Sequence, residues 1–207
     1  MRGMTQRRDG NGRRNPPLYR EEGAAHAAFR RIPWLMVLML SATLTGVIIS
    51  AYESALSSCV YLTAFIPMLM GTGGNAGSQA SVTVIRALSS GELSARESSR
   101  VLGKELRIAT LCAGMLGAAA FLKTCLFDAM LMHTIPMSDM LRAALTVSLS
   151  LMLTVLFAKA VGACLPILAC RFGLDPAVMV SPFLTTLVDT VSLVLYFQIA
   201  RILIPGI

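Results

Sequence analysis

Long apolar runs alternate with short polar breaks along this chain, and five of the runs are long enough to be membrane helices. The first extends from Ile32 to Tyr52, with Trp34 and Tyr52 near its two ends, where an aromatic belt belongs. The second, from Cys59 to about Leu88, contains Pro67 and the polar stretch GTGGNAGSQ at 71–79. A charged segment follows over 86–107. Gly91 suits the end of the second helix, and Ser94 with Glu97 forms a capping box for the third. The third helix enters the apolar region near Ile108 and carries Ala109, Ala113 and Gly117 at four-residue spacing, a packing face of small residues. An outer loop is expected from Lys123 to Arg142 and a fourth span from Ala143 to Cys170. Arg171 and Gly173 make a tight turn. Asp175 then caps a fifth helix that opens on Pro176 and ends near Ile204.

The pattern predicts an all-α polytopic membrane protein with five transmembrane helices over 32–204. Residues 1–31 form a basic tail in which RRDGNGRRNPP has almost nothing to bury and REEGAAHAAFRR allows one short helix. Composition agrees. The 207 residues are 55% hydrophobic and only 14% charged, against about 25% charged in ordinary soluble domains. The net charge of +7 does not point to nucleic acid, because the cations are segregated by side. The tail, residues 86–107 and Arg171 hold 14 Lys or Arg, whereas the opposite side holds three, Lys123, Arg142 and Arg201. That asymmetry predicts a cytoplasmic N-terminus, an outer C-terminus and a multi-pass protein of the plasma membrane. Lys159 is left inside the fourth span and needs a partner, water or the interface. The five cysteines form no CxxC pair and read as free thiols in apolar surroundings. His26 and His133 receive no role.

Two spans carry polar stripes. Asn75, Gln79 and Thr83 share one face of the second helix, with Gly71, Gly73, Gly74 and Gly77 around its start. Glycines there allow close backbone approach, or a loosened helix with exposed carbonyls. Ser181, Thr185, Asp189 and Ser192 share a face of the fifth helix. Asp189 falls roughly 18 Å from the helix start, near the middle of a ~30 Å hydrocarbon core. An acid at that depth costs about 2.5–3.5 kcal/mol on insertion scales, so a cation, a proton or a partner such as Lys159 must compensate. Helix–helix contact explains the second-helix stripe equally well from spacing alone; the two stripes together favour a cation path. A phosphate loop is excluded, since GTGGNAGS lacks the lysine and the βαβ unit. No nucleophile–base pair suggests an enzyme.

These same residues carry a resemblance. PMLMGTGGNAGSQASVTVIRAL with its following GEL, GLDPAVMVSPFLTTLVDTVSLVLYF, and RIPWLMVLMLSATLTGVIIS followed by YE resemble the membrane domain of the MgtE magnesium channel/transporter family over about residues 30–204. The resemblance implies a homodimer of five-helix subunits in the lipid bilayer, with an ion path near the two-fold axis and Mg²⁺ entering the cytosol as the transported ion. It implies that Asp189 binds the metal through its water shell, that Asn75 and Gly71 lie on the path, and that Glu53 lies near the outer mouth; the polar stripes add Gly74, Gln79, Ser181, Thr185 and Ser192 as residues lining that path. Mg²⁺ dehydrates reluctantly and is often held as a hydrate by one or two carboxylates, which suits two copies of Asp189. Typical members carry a soluble domain and a CBS pair before the membrane part, and only about 30 residues precede it here. Closure is then lost, or supplied by a separate regulatory subunit, or the chain is a fragment. An ion-coupled divalent metal transporter and a non-transporting membrane partner of full-length relatives remain as alternatives.

Overall fold

The computed structural model describes residues 23–92, 98–128, 130, 136–174 and 176–206. The described residues are helical apart from short turns. α1 is Ala24–Ala51, followed by the short α2 at Glu53–Ser58, a 3-10 turn at Val60–Phe65 and α3 at Ile66–Ser89. Then come α4 at Ser98–Lys123, a π turn at Thr124–Asp128, α5 at Met137–Arg171 and α6 at Pro176–Leu203. Four of these, α1, α4 with its π turn, α5 and α6, are long and apolar enough to cross a membrane. The result is a multi-pass membrane protein. α3 has the length, 24 residues, or about 36 Å. Its Gly, Ser, Asn, Gln and Thr content denies it the apolarity.

Several helix ends depart from the sequence expectation. α1 starts at Ala24, so the short helix anticipated in the tail runs on through Pro33 into the first span. The 3-10 turn, not an α-helix, occupies the start of the expected second span, and α3 begins with Pro67 in its first turn, where a missing N–H is harmless. The outer loop expected to begin at Lys123 is helical through Asp128. α5 begins at Met137, six residues before Ala143. Asp139 in its first turn suits the positive end of the helix, and Thr146 and Ser150 donate their hydroxyls back to the carbonyls of Arg142 and Thr146 at 2.8 and 2.6 Å. Ser138, Asp139 and Arg142 make the first turns polar, which hides the boundary. The capping residues Ser94, Glu97 and Asp175, as well as His133, lie outside the described residues.

The chain divides by its contacts at Met36/Val37. In the first unit, residues 24–36 are helical, with Phe29, Ile32 and Leu35 exposed. The second unit is a bundle around α5, which packs on α3, α4 and α6. Side chains fix the directions. An added Cβ on Gly73 would meet Thr154, and one on Gly77 would meet the Ala158 carbonyl, so α3 and α5 run parallel. The same two glycines face Val188 and Leu184, so α3 and α6 run antiparallel. Ser148 donates a 2.7 Å hydrogen bond to the Gly117 carbonyl, and Val101 packs with Ala163 and Ile167, so α4 and α5 are antiparallel.

Small residues make these approaches possible, since packing between membrane helices depends on van der Waals contact and hydrogen bonds more than on water exclusion. The expected small face of α4 is in place: Ala109 and Ala113 are buried, and Gly117 accommodates Met152. At the end of the bundle where α6 terminates, the Tyr52 and Phe197 rings stack at 4.4 Å and Tyr196 donates to the Leu62 carbonyl at 2.9 Å. Lys123 forms a two-oxygen ion pair with buried Asp128 at 2.9 Å.

Candidate cation site

α3 is two-faced. Gly73, Ala76, Gly77, Ala80, Ser81 and Val84 are buried against the bundle. Gly71, Asn75, Gln79 and Thr83 are exposed on the other side. The glycine-rich stretch does not loosen; it remains α-helical throughout. Gly73 and Gly77 serve close approach to α5 and α6, while Gly71 and Gly74 have open space where a side chain would be. Within this chain the Asn75 stripe is therefore not contact material between helices. It lines an open cavity of about 690 Å³ formed by Asn75, Ser78, Gln79, Val82 and Thr83.

On α6, Ser181 and Thr185 are exposed and Asp189 is partly exposed. Ser192 has the same angular position but is 1% exposed, with its hydroxyl donated to the Asp189 carbonyl at 3.0 Å. The α6 stripe is thus open at its Ser181 end and covered at its Ser192 end. Thr185 donates to the Ser181 carbonyl at 3.0 Å, so its own backbone satisfies the donor and the oxygen lone pairs remain available. The Gly73–Val188 and Gly77–Leu184 contacts set Asp189 level with Thr72 and Thr185 level with Ala76. Asn75 and Asp189 therefore lie about one helical turn apart in depth on adjacent helices, although no hydrogen bond joins the two side chains.

The salt-bridge alternative for Asp189 is not realised. The ion pairs among the described residues are Lys123–Asp128 and Arg142–Asp139. Lys159 is 5% exposed and forms part of the α5 surface one turn from Ala163, which faces α4. The sequence singled out Lys159 but not a second buried charged residue. Glu105 on α4, 6% exposed, lies one turn from Val101 on the face that meets Ala163. Its place in the four-residue series Val101, Glu105, Ala109, Ala113, Gly117 was the available signal.

Among the described residues, no three or more His, Cys, Asp or Glu side chains gather as a metal-holding group. One chain thus offers one carboxylate, Asp189, flanked by hydroxyl and amide oxygens. Glu53 is exposed at the start of α2, beside Tyr52 and hence near Phe197, about 12 Å along α6 from Asp189. It belongs to the end of the bundle and not to the Asp189 level.

A family of divalent cation transporters, MgtE, matches residues 66–199, the stretch that holds both polar helices. This chain belongs to the MgtE family. MgtE proteins are transporters, not enzymes. Among curated relatives, the chain is 34% identical to the magnesium transporter MgtE of Thermus thermophilus over 92% of its own length and 40% of the relative's. It is 33% identical to that of Bacillus subtilis, over 87% and 38%, and 31% identical to that of Enterococcus faecalis, over 86% and 37%. The chain spans about two-fifths of the length of these MgtE relatives.

Proposed function

We propose that this chain conducts Mg²⁺ across the plasma membrane into the cytosol, as a homodimer in which α3 serves as a fifth crossing and the hydrated ion is held between two copies of Asp189. The N-terminus is cytoplasmic and the C-terminus outside, following the distribution of Lys and Arg. The observation that carries the proposal is the position of Asp189. It is partly exposed on the open side of α6, has no ion-pair partner among the described residues, and lies level with the polar face of α3. Its magnesium-transporting relatives supply the ion.

A carboxylate at membrane depth needs a compensating charge. Two such groups binding a hexahydrate through its waters would supply it while leaving the metal's inner shell intact. The exposed Thr185, Ser181, Asn75 and Gln79 oxygens would accept hydrogen bonds from the outer waters. Gly71 and Gly74 keep the path wide, because nothing fills the space beside them. Binding through water is weak enough to release, which conduction requires.

The test is Mg²⁺ uptake into liposomes under an inside-negative potential, with no pH or Na⁺ gradient. Wild type takes up Mg²⁺ and Asp189→Asn does not. Uptake that persists in Asp189→Asn removes Asp189 from the path. Uptake that requires a pH or Na⁺ gradient makes the protein a coupled transporter.

A further inference from the structure

A second cavity lies away from Asp189. It is a cleft of about 990 Å³ between the last turns of α3 and the first turns of α4. Its charged lining consists of Arg86, Arg100, Lys104 and Arg107, against Glu92 and Glu105. None of the four cations is in an ion pair among the described residues. Glu105 is buried in the lining and Glu92 is exposed at it, so four cations face two carboxylates. Among the described residues the cleft therefore carries an excess of positive charge.

Its shape selects the kind of anion. Arg100, Lys104, Arg107 and Leu111 follow one another at i, i+4, i+7 and i+11, on one face of α4. Leu111 lines the cleft, and Leu111 and Met115, four residues on, are 70% and 76% exposed. One continuous stripe therefore changes from cationic to apolar between Arg107 and Leu111, within the candidate membrane span Ser99–Asp128. A free phosphate would use only the first half of this stripe. A molecule with an anionic head and an acyl chain would use both. Basic pockets between membrane helices near the interface suit such headgroups.

We propose that the α3–α4 cleft binds the phosphate headgroup of an anionic phospholipid, with an acyl chain lying along Leu111 and Met115. This site is separate from the Asp189 level and does not depend on the transport reading.

The test is native mass spectrometry of the full chain in detergent, titrated with phosphatidylglycerol or phosphatidylcholine of matched acyl chains. Wild type retains phosphatidylglycerol preferentially. Arg100→Gln/Lys104→Gln lowers that preference on the order of tenfold or more, given the worth of each cation near an anionic headgroup. Arg100→Lys, which keeps the charge, retains it, as does Arg201→Gln near the far end of α6. Equal retention of the two lipids by wild type overturns the proposal, as does an unchanged preference in the double variant. If that variant fails to fold, Leu111→Asn replaces it: loss of phosphatidylglycerol retention supports the lipid, and unchanged retention overturns the acyl-chain path. Displacement of phosphatidylglycerol by millimolar inorganic phosphate reassigns the cleft to a free anion and also overturns the lipid.

Discussion

The backbone of Gly162 on α5 lies against the carbonyl of Gly77 on α3 so closely that a methyl group has no room, because the atoms it would strike are backbone. That contact brings the polar helix onto the centre of the bundle. Gly162→Ala must separate α3 from α5, and overpacking of this kind typically costs 1–3 kcal/mol, at about the upper end where backbone has to move. Gly71→Ala, on the open side of α3, should be neutral in stability. Thermal denaturation in detergent, followed by loss of the monodisperse peak on size exclusion, compares them. Equal melting temperatures for the two variants would refute the close-contact account.

Much of this arrangement was visible in the residues. Apolar runs located the helices, and the four-residue spacing of Ala109, Ala113 and Gly117 marked the packing face of α4, though not the helix that meets it. What spacing could not decide was which glycines face inward. Gly71, Gly73, Gly74 and Gly77 are equivalent as letters, and only the neighbours Thr154, Ala158, Leu184 and Val188 separate the two packed ones from the two open ones. Ser192 shows the same limit. Angular position put it with Thr185 and Asp189, but burial changes with depth along a helix. Met137 was missed as a helix start because Ser138, Asp139 and Arg142 make the first turns polar enough to look like loop.

Lys159 provides a second prediction. A buried lysine without a partner among the described residues contributes nothing to stability, and replacing a buried charge by an apolar side chain of similar length is often neutral or stabilising. Lys159→Met should therefore keep the melting temperature or raise it, and Asp189-dependent Mg²⁺ uptake should survive. A loss of uptake restored by the double variant Lys159→Met/Asp189→Asn would instead couple the two charges and revive the salt-bridge account.

Tyr196 provides a third. Its ring is fully buried and its hydroxyl reaches across the sequence to the Leu62 carbonyl at 2.9 Å, tying the 3-10 turn to α6. Tyr196→Phe keeps the ring packed against Phe197 and leaves that carbonyl without this partner. The expected loss is about 1 kcal/mol, read as a lower midpoint in denaturant-induced unfolding. Glu53→Gln, exposed nearby, should not move the midpoint. A midpoint that is unchanged in Tyr196→Phe shows that solvent or lipid already satisfies the turn.

The dimer makes a fourth prediction, because it requires a particular side of the bundle to meet its copy. Thr185 is exposed on α6 at the level of the polar α3 face, whereas Leu168 is exposed on α5, where it has no polar neighbours on its own face one turn to either side, Cys164 and Phe172. In a background with all five cysteines replaced by alanine, Thr185→Cys should cross-link two chains under mild oxidation in the bilayer and Leu168→Cys should not. Mg²⁺ should slow the Thr185→Cys cross-link, since a hydrated ion between the two Asp189 carboxylates would hold the facing helices apart. Cross-linking through Leu168→Cys alone would place the two-fold axis on the other side of the bundle and leave Asp189 facing lipid, where the cost of an unpaired carboxylate would rule out the paired-aspartate site.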